Sequence, residues 1–172
     1  GLDDAELAAA CHEAAQGQVV EPVNFNAPGQ VVIAGHAAAV ARAIEAAKLR
    51  GAKRAMALPV SVPSHSSLMT GAADQLAERL VKVELVVPEV PAVYTVDVQT
   101  HRSPDGIRRA LREQLFKPVR WADTVRAMIA SGVTTFVECG PGKVLTSLGK
   151  RIERRPELRM LAIDDPDSLA AA

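Results

Sequence analysis

The chain has 172 residues, 48% hydrophobic and only 3% aromatic, so Ala, Val and Leu must fill a core and little material is left for base-stacking platforms. Twenty Lys and Arg offset twenty Asp and Glu, which removes any net field for nucleic acid or an anionic membrane. Two widely separated cysteines, no apolar run near the roughly 18 residues that span a bilayer, and no basic-then-apolar opening segment fit reduced thiols in a cytoplasm.

Leu7, Ala10, Cys11 and Ala14 fall on one face of a helix predicted over 2–16, with Asp3 or Asp4 as N-cap and Gly17 as its stop. Two β-rich runs, 19–26 and 30–35, flank Ala27-Pro28-Gly29, a turn signal for a hairpin. Val40, Ala43, Ile44 and Ala47 then mark a helix over 37–49, and Arg54 to Leu58 reads as a short strand. The order helix, strand, strand, helix, strand is that of a ferredoxin-like split βαβ unit without its opening strand, so a sheet partner is expected upstream of Gly1. After Pro63 the pattern changes. A long helix carries Leu68, Ala72, Leu76 and Leu80, and 92–98 reads as a strand. Ser103-Pro104-Asp105-Gly106 opens a helix with Ile107, Leu111 and Leu115, and a further helix runs from Trp121 to near Gly132. A buried strand over 134–139, a Gly140-Pro141-Gly142 turn, a helix with Val144, Leu148 and Ile152, and a strand over 158–163 complete an α/β layer with a largely parallel sheet. The division expected is 1–60 for the small subdomain and 61–172 for the larger one.

His65 has the most suggestive setting of the four histidines, where Val60-Ser61-Val62-Pro63-Ser64 meets a helix start. An imidazole there feels the positive end of the dipole, which favours a neutral ring able to accept a proton. The plainer reading makes Ser64 and Ser66 helix caps and His65 a surface residue. Gly140-Pro141-Gly142-Lys143 lacks the glycine spacing of a phosphate loop and reads as a strand-to-helix turn. No His, Cys and carboxylate cluster has metal-ligand spacing, and Cys139 reads as a core residue.

Four segments together carry a resemblance: 22–35 (PVNFNAPGQVVIAG), 59–66 (PVSVPSHS), 114–121 (QLFKPVRW) and 138–145 (ECGPGKVL). In order and spacing they are similar to bacterial malonyl-CoA:acyl carrier protein transacylases. The resemblance implies an incomplete ferredoxin-like small subdomain, followed by the C-terminal part of an α/β-hydrolase-like large subdomain. It also implies that His65 takes the proton of a serine in a Gly-His-Ser-x-Gly elbow, oriented by the backbone carbonyl at Gln114. No such elbow occurs here; Gly35-His36-Ala37-Ala38-Ala39 has alanine where the oxygen is needed, and His36 reads as the residue that opens a helix.

The nucleophile is therefore expected upstream, in an N-terminal lobe absent from this chain, and the chain alone is expected to be inactive. Substrates implied are malonyl-CoA and phosphopantetheinylated acyl carrier protein, with no cofactor. Asn24, Asn26 and Ser64 are candidate acyl- or pantetheine-binding residues, Asn24 and Asn26 alternatively serving the adjacent turn. Lys48, Arg50, Lys53 and Arg54 form either a dock for an acidic carrier protein or a solvated helix end. A carrier-binding module without chemistry is the alternative function; nucleic-acid binding would need sheet aromatics beyond Phe25.

Overall fold

The computed structural model describes residues 1–171, so Ala172, the last residue of the expected 61–172 segment, lies outside them. The chain divides into two compact units, Gly1–Trp121 and Ala122 onward. In the first, α1 (Asp4–Ala15) starts where the Asp3 carboxylate accepts the Glu6 N–H at 2.8 Å, one of the donors every helix start leaves unpaired. Gln16 and Gly17, both at positive φ, end it. Strands β1 (Val20–Ala27) and β2 (Gln30–Gly35) pair antiparallel, from Val20 opposite Gly35 to Ala27 opposite Gln30. At their tip Gly29 has φ 67°, a value that favours glycine.

Helix α2 (Ala37–Leu49) begins at His36, as the sequence suggests. Its alanines let it approach α1 closely, and Cys11, Ala14, Val20, Ala39 and Ala43 form the core. Arg42 closes the end of α1 by donating to the carbonyls of Ala14 at 2.8 Å and Ala15 at 3.1 Å. Burial pushes the Cys11 thiol up to about 11, with the negative charge of Glu21 adding to the shift. A 3₁₀ turn (Ser67–Met69) leads into α3 (Thr70–Leu80), and β3 (Val93–Tyr94) and β4 (Gln99–Thr100) precede α4 (Pro104–Glu113). Arg108 ties α4 to α3 through the carbonyls of Leu80 and Val83, at 3.0 and 2.9 Å.

Helix α5 (Trp121–Ala130) leads into the second unit, where β5 (Thr135–Cys139) and β6 (Arg159–Ile163) pair parallel across α6 (Val144–Ile152) and α7 (Pro166–Ala171) follows. The Glu138 carboxylate accepts the N–H groups of Leu145 at 3.0 Å and Thr146 at 2.7 Å, capping α6. Those backbone bonds hold its pKa below the usual glutamate value. They also occupy the donors a phosphate would need at the Gly140-Pro141-Gly142-Lys143 turn. Among the described residues no helix is long and apolar enough to cross a membrane, and no group of three or more His, Cys, Asp or Glu could hold a metal ion.

Four expectations change. Arg54–Leu58 is no strand: among the described residues nothing pairs with it, and β-propensity without a ladder partner does not make a strand. The expected strand over 92–98 is instead a hairpin, because the chain reverses at Thr95–Val98 with the Val98 N–H on the Tyr94 carbonyl and the Asp97 side chain on the Gln99 N–H. The sheets among the described residues are three two-stranded pairs, only one of them parallel. Cys139 is exposed rather than in the core, since odd positions of β5 point away from its covered face.

At about pH 8 a thiol reagent is expected to titrate Cys139 in the native chain, and Cys11 only after denaturation. A rapid second equivalent from native protein contradicts this burial. The α6 cap should be present above the ordinary glutamate pKa and lost as pH falls through its lowered folded value. The melting-temperature gap between wild type and Glu138→Gln is therefore expected to be widest near neutrality and to close in acid; a gap independent of pH contradicts the assignment.

Candidate active site

The loop before the 3₁₀ turn is shaped by its own polar groups. Pro63 offers no N–H, and its carbonyl accepts both the Ser66 N–H at 3.3 Å and the Ser66 hydroxyl at 2.7 Å. Ser66 is fully buried, so this hydroxyl is spent inside the loop and not on the cap the sequence suggests. Between them His65 has φ 65°, a left-handed conformation that costs a side-chain-bearing residue about 1–2 kcal/mol. Such strain persists where the surroundings over-determine it.

Here the surroundings are the end of α4. A helix leaves its last carbonyls without intrahelical partners. Past Glu113, the Leu115 carbonyl accepts the His65 backbone N–H at 2.9 Å, and the Gln114 carbonyl lies 2.5 Å from His65 Nδ1. A carbonyl oxygen only accepts, so Nδ1 carries the proton and donates it. In the neutral ring Nε2 is then left as a lone-pair acceptor. The half-buried imidazole thus lies against the backbone oxygen of Gln114, the contact that the family resemblance implied. The donors at the start of the 3₁₀ turn are met by Glu21, whose carboxylate accepts the Ser67 N–H and the Ser67 hydroxyl, each at 2.8 Å.

The carbonyl segment is held by β1. Val119 donates to the Val23 carbonyl at 2.8 Å and accepts from the Phe25 N–H at 2.9 Å, a parallel bridge centred on Asn24. Of the residues singled out from sequence, His65 and Gln114 therefore meet. Asn24 lies half-buried beside that bridge, and Asn26 two residues further along the same strand. Ser64 is exposed next to His65, its N–H on the Val62 carbonyl at 2.9 Å. Among the described residues the side chains of Asn24, Asn26 and Ser64 make no hydrogen bond, so none is committed to holding the turn or the loop.

Sequence reasoning missed Glu21 and the Leu115 carbonyl. Glu21 and Ser67 are 46 positions apart, and no local spacing signals their contact.

The basic cluster is partly neutralised, with Lys48 paired to Glu45 and Arg50 to both Glu6 and Glu13, as a solvated helix end would be. His36 uses its ring in the opposite sense to His65, for its Nδ1 accepts the Val19 N–H at 3.0 Å.

Residues 3–159 match the family described as "Acyl transferase domain". The chain is 56% identical over 172 residues to the malonyl CoA-acyl carrier protein transacylase of Escherichia coli (strain K12), covering all of this chain and 55% of that protein. It is 43% identical over 157 residues to the protein of the same name from Bacillus subtilis (strain 168), covering 91% and 49%. A crystal structure of an acyl carrier protein S-malonyltransferase from Vibrio cholerae superposes with a TM-score of 0.95 at 53% identity, covering 99% of this chain and 55% of that one. A malonyl-transacylase in complex with its type II PKS acyl-carrier protein (PlMCAT:AntF) gives 0.97 at 52%, covering 100% and 55%. The chain thus spans about half the length of the relatives it matches.

At a pH where both rings are neutral, nitrogen NMR is expected to show His65 as the Nδ1–H tautomer and His36 as the Nε2–H tautomer. An Nε2–H form at His65 would mean that the Gln114 carbonyl does not orient it.

Proposed function

Since the chain belongs to the acyl transferase domain family, we propose that it carries the proton-handling half of a malonyl-CoA:acyl carrier protein transacylase. The observation that supports this is the His65 Nδ1 contact with the Gln114 carbonyl, which leaves Nε2 as the acceptor a general base needs. Carrier-protein binding without chemistry is the weaker reading, because a docking surface has no use for an oriented imidazole.

In this reading the nucleophile is a serine outside these 172 residues, in the lobe that completes the enzyme. Its oxygen attacks the thioester carbonyl of malonyl-CoA as His65 Nε2 takes the hydroxyl proton. The Gln114 carbonyl stabilises the imidazolium that forms, so no buried aspartate is required. The tetrahedral intermediate collapses with cleavage of the carbon–sulfur bond, and His65 returns the proton to the coenzyme A thiolate. In the second half, Nε2 takes the proton of the phosphopantetheine thiol on acyl carrier protein. The thiolate attacks the serine ester, and the departing serine oxygen recovers the proton. Nothing is oxidised or reduced, and no cofactor or metal is called for.

In this reading Asn24, Asn26 and Ser64 hydrogen-bond the acyl or pantetheine groups, a role their uncommitted side chains leave open. We place the enzyme in the cytoplasm. Residues 1–60 belong to its ferredoxin-like small subdomain, less one strand, and 61–172 to the C-terminal part of its α/β-hydrolase-like large subdomain. The α1-β1-β2-α2 order supports the first assignment and the parallel β5-α6-β6 unit the second, while the compact units of the chain itself divide later, after Trp121.

In the complete enzyme, His65→Ala is expected to lower malonyl transfer roughly 10²- to 10⁴-fold with an unchanged circular dichroism spectrum. The isolated chain should take up no label from radioactive malonyl-CoA. Wild-type turnover in the variant, or covalent labelling of the isolated chain, would refute the reading.

A further inference from the structure

His65 and its acceptor carbonyl lie 49 positions apart, and neither segment is a regular element at the point of contact. Both are tethered to one strand. The Gln114 side is sewn to β1 by the two backbone bonds between Val119 and the pair Val23 and Phe25. The His65 side is sewn to the same strand two residues earlier, where Glu21 takes both Ser67 donors. Ser67 is itself only two residues past the strained φ of His65, so the carboxylate grips the loop just beyond the point where it would relax.

We propose that Glu21 is a positioning residue for His65, which with the Val119 bridge makes β1 a common reference for both partners of the imidazole–carbonyl bond. The proposal rests on the reading of His65 as the general base. Glu21 touches neither substrate nor the reacting atoms; it acts by holding Ser67, and through it the backbone turn that aims the ring. Loss of that hold lets the loop slacken toward ordinary backbone angles and draws Nδ1 off the carbonyl. Small displacements of a catalytic group are costly in rate without a matching loss of substrate binding.

In the complete enzyme, Glu21→Ala is expected to lower kcat for malonyl transfer about tenfold or more while KM for malonyl-CoA stays within about twofold. The Nδ1–H resonance of His65 should broaden or shift in the same variant. Glu21→Gln is expected to restore both readouts, since the amide oxygen still accepts the Ser67 N–H and the amide nitrogen can donate to the Ser67 hydroxyl. Wild-type kcat with an unmoved His65 resonance in folded Glu21→Ala overturns the proposal. So does a Glu21→Gln variant as impaired as the alanine, because charge and not hydrogen bonding would then be the active property. Should Glu21→Ala fail to fold, Ser67→Ala deletes one of the two bonds and leaves β1 untouched. A moved His65 resonance with a smaller fall in kcat is expected there, and no change in either overturns the idea. The resonance reports ring position whether or not His65 is the base, so normal turnover in His65→Ala would end the catalytic reading without deciding the positioning one.

Discussion

Just past the end of α4 the carbonyls of Gln114 and Leu115 point out of the turn, and His65 takes both, one with its ring and one with its main-chain N–H. Each such bond contributes about 1 kcal/mol net, enough together to offset the cost of the left-handed backbone at His65. The pair of bonds thereby holds a strained turn and selects a tautomer. A main-chain oxygen suits this work because it has no rotamers and no proton to give. A carboxylate in its place would need its own support and would bring a charge that must be desolvated.

Strand β1 carries more of the site than its length suggests. On one edge it pairs with β2, and on the other it bridges Val119; from its start Glu21 reaches the turn after His65. Three segments far apart in sequence are registered against one extended backbone. The α1–α2 layer, packed on that hairpin through small residues, is the scaffold behind it. In the second unit the same economy recurs, with Glu138 reaching back from β5 to close α6 where the glycine-rich turn leaves the helix start open.

Much of this was legible in the sequence, for identifiable reasons. The helices α1, α2 and α4 announced themselves through apolar spacing, and α1 and α4 also through Asp3 and Ser103, whose side chains cap those two. The hairpin followed from Pro28-Gly29 between two β-rich runs. The importance of His65 and of the Gln114 carbonyl came from family resemblance, since a contact across 49 positions leaves no periodic trace. Arg54–Leu58 misled because strand formation is decided by a neighbour and not by composition. Cys139 misled because an apolar strand need not have both faces covered. Glu21 was invisible for a related reason: a surface-type residue beside Pro22 gains meaning only once the chain brings Ser67 to it.

The extended run before His65 has a further consequence. Met56, Leu58, Val60 and Val62 are 54%, 53%, 68% and 49% exposed, alternating along a backbone that enters no sheet. In a chain taken by itself such a pattern offers unpaired strand donors and acceptors to a neighbour. Pro59 and Pro63 interrupt it, for each removes a ladder donor and the pair leaves only three consecutive amides between them. In the chain taken by itself the two prolines limit that pairing, so the oily segment that leads to the imidazole carries fewer free ladder donors.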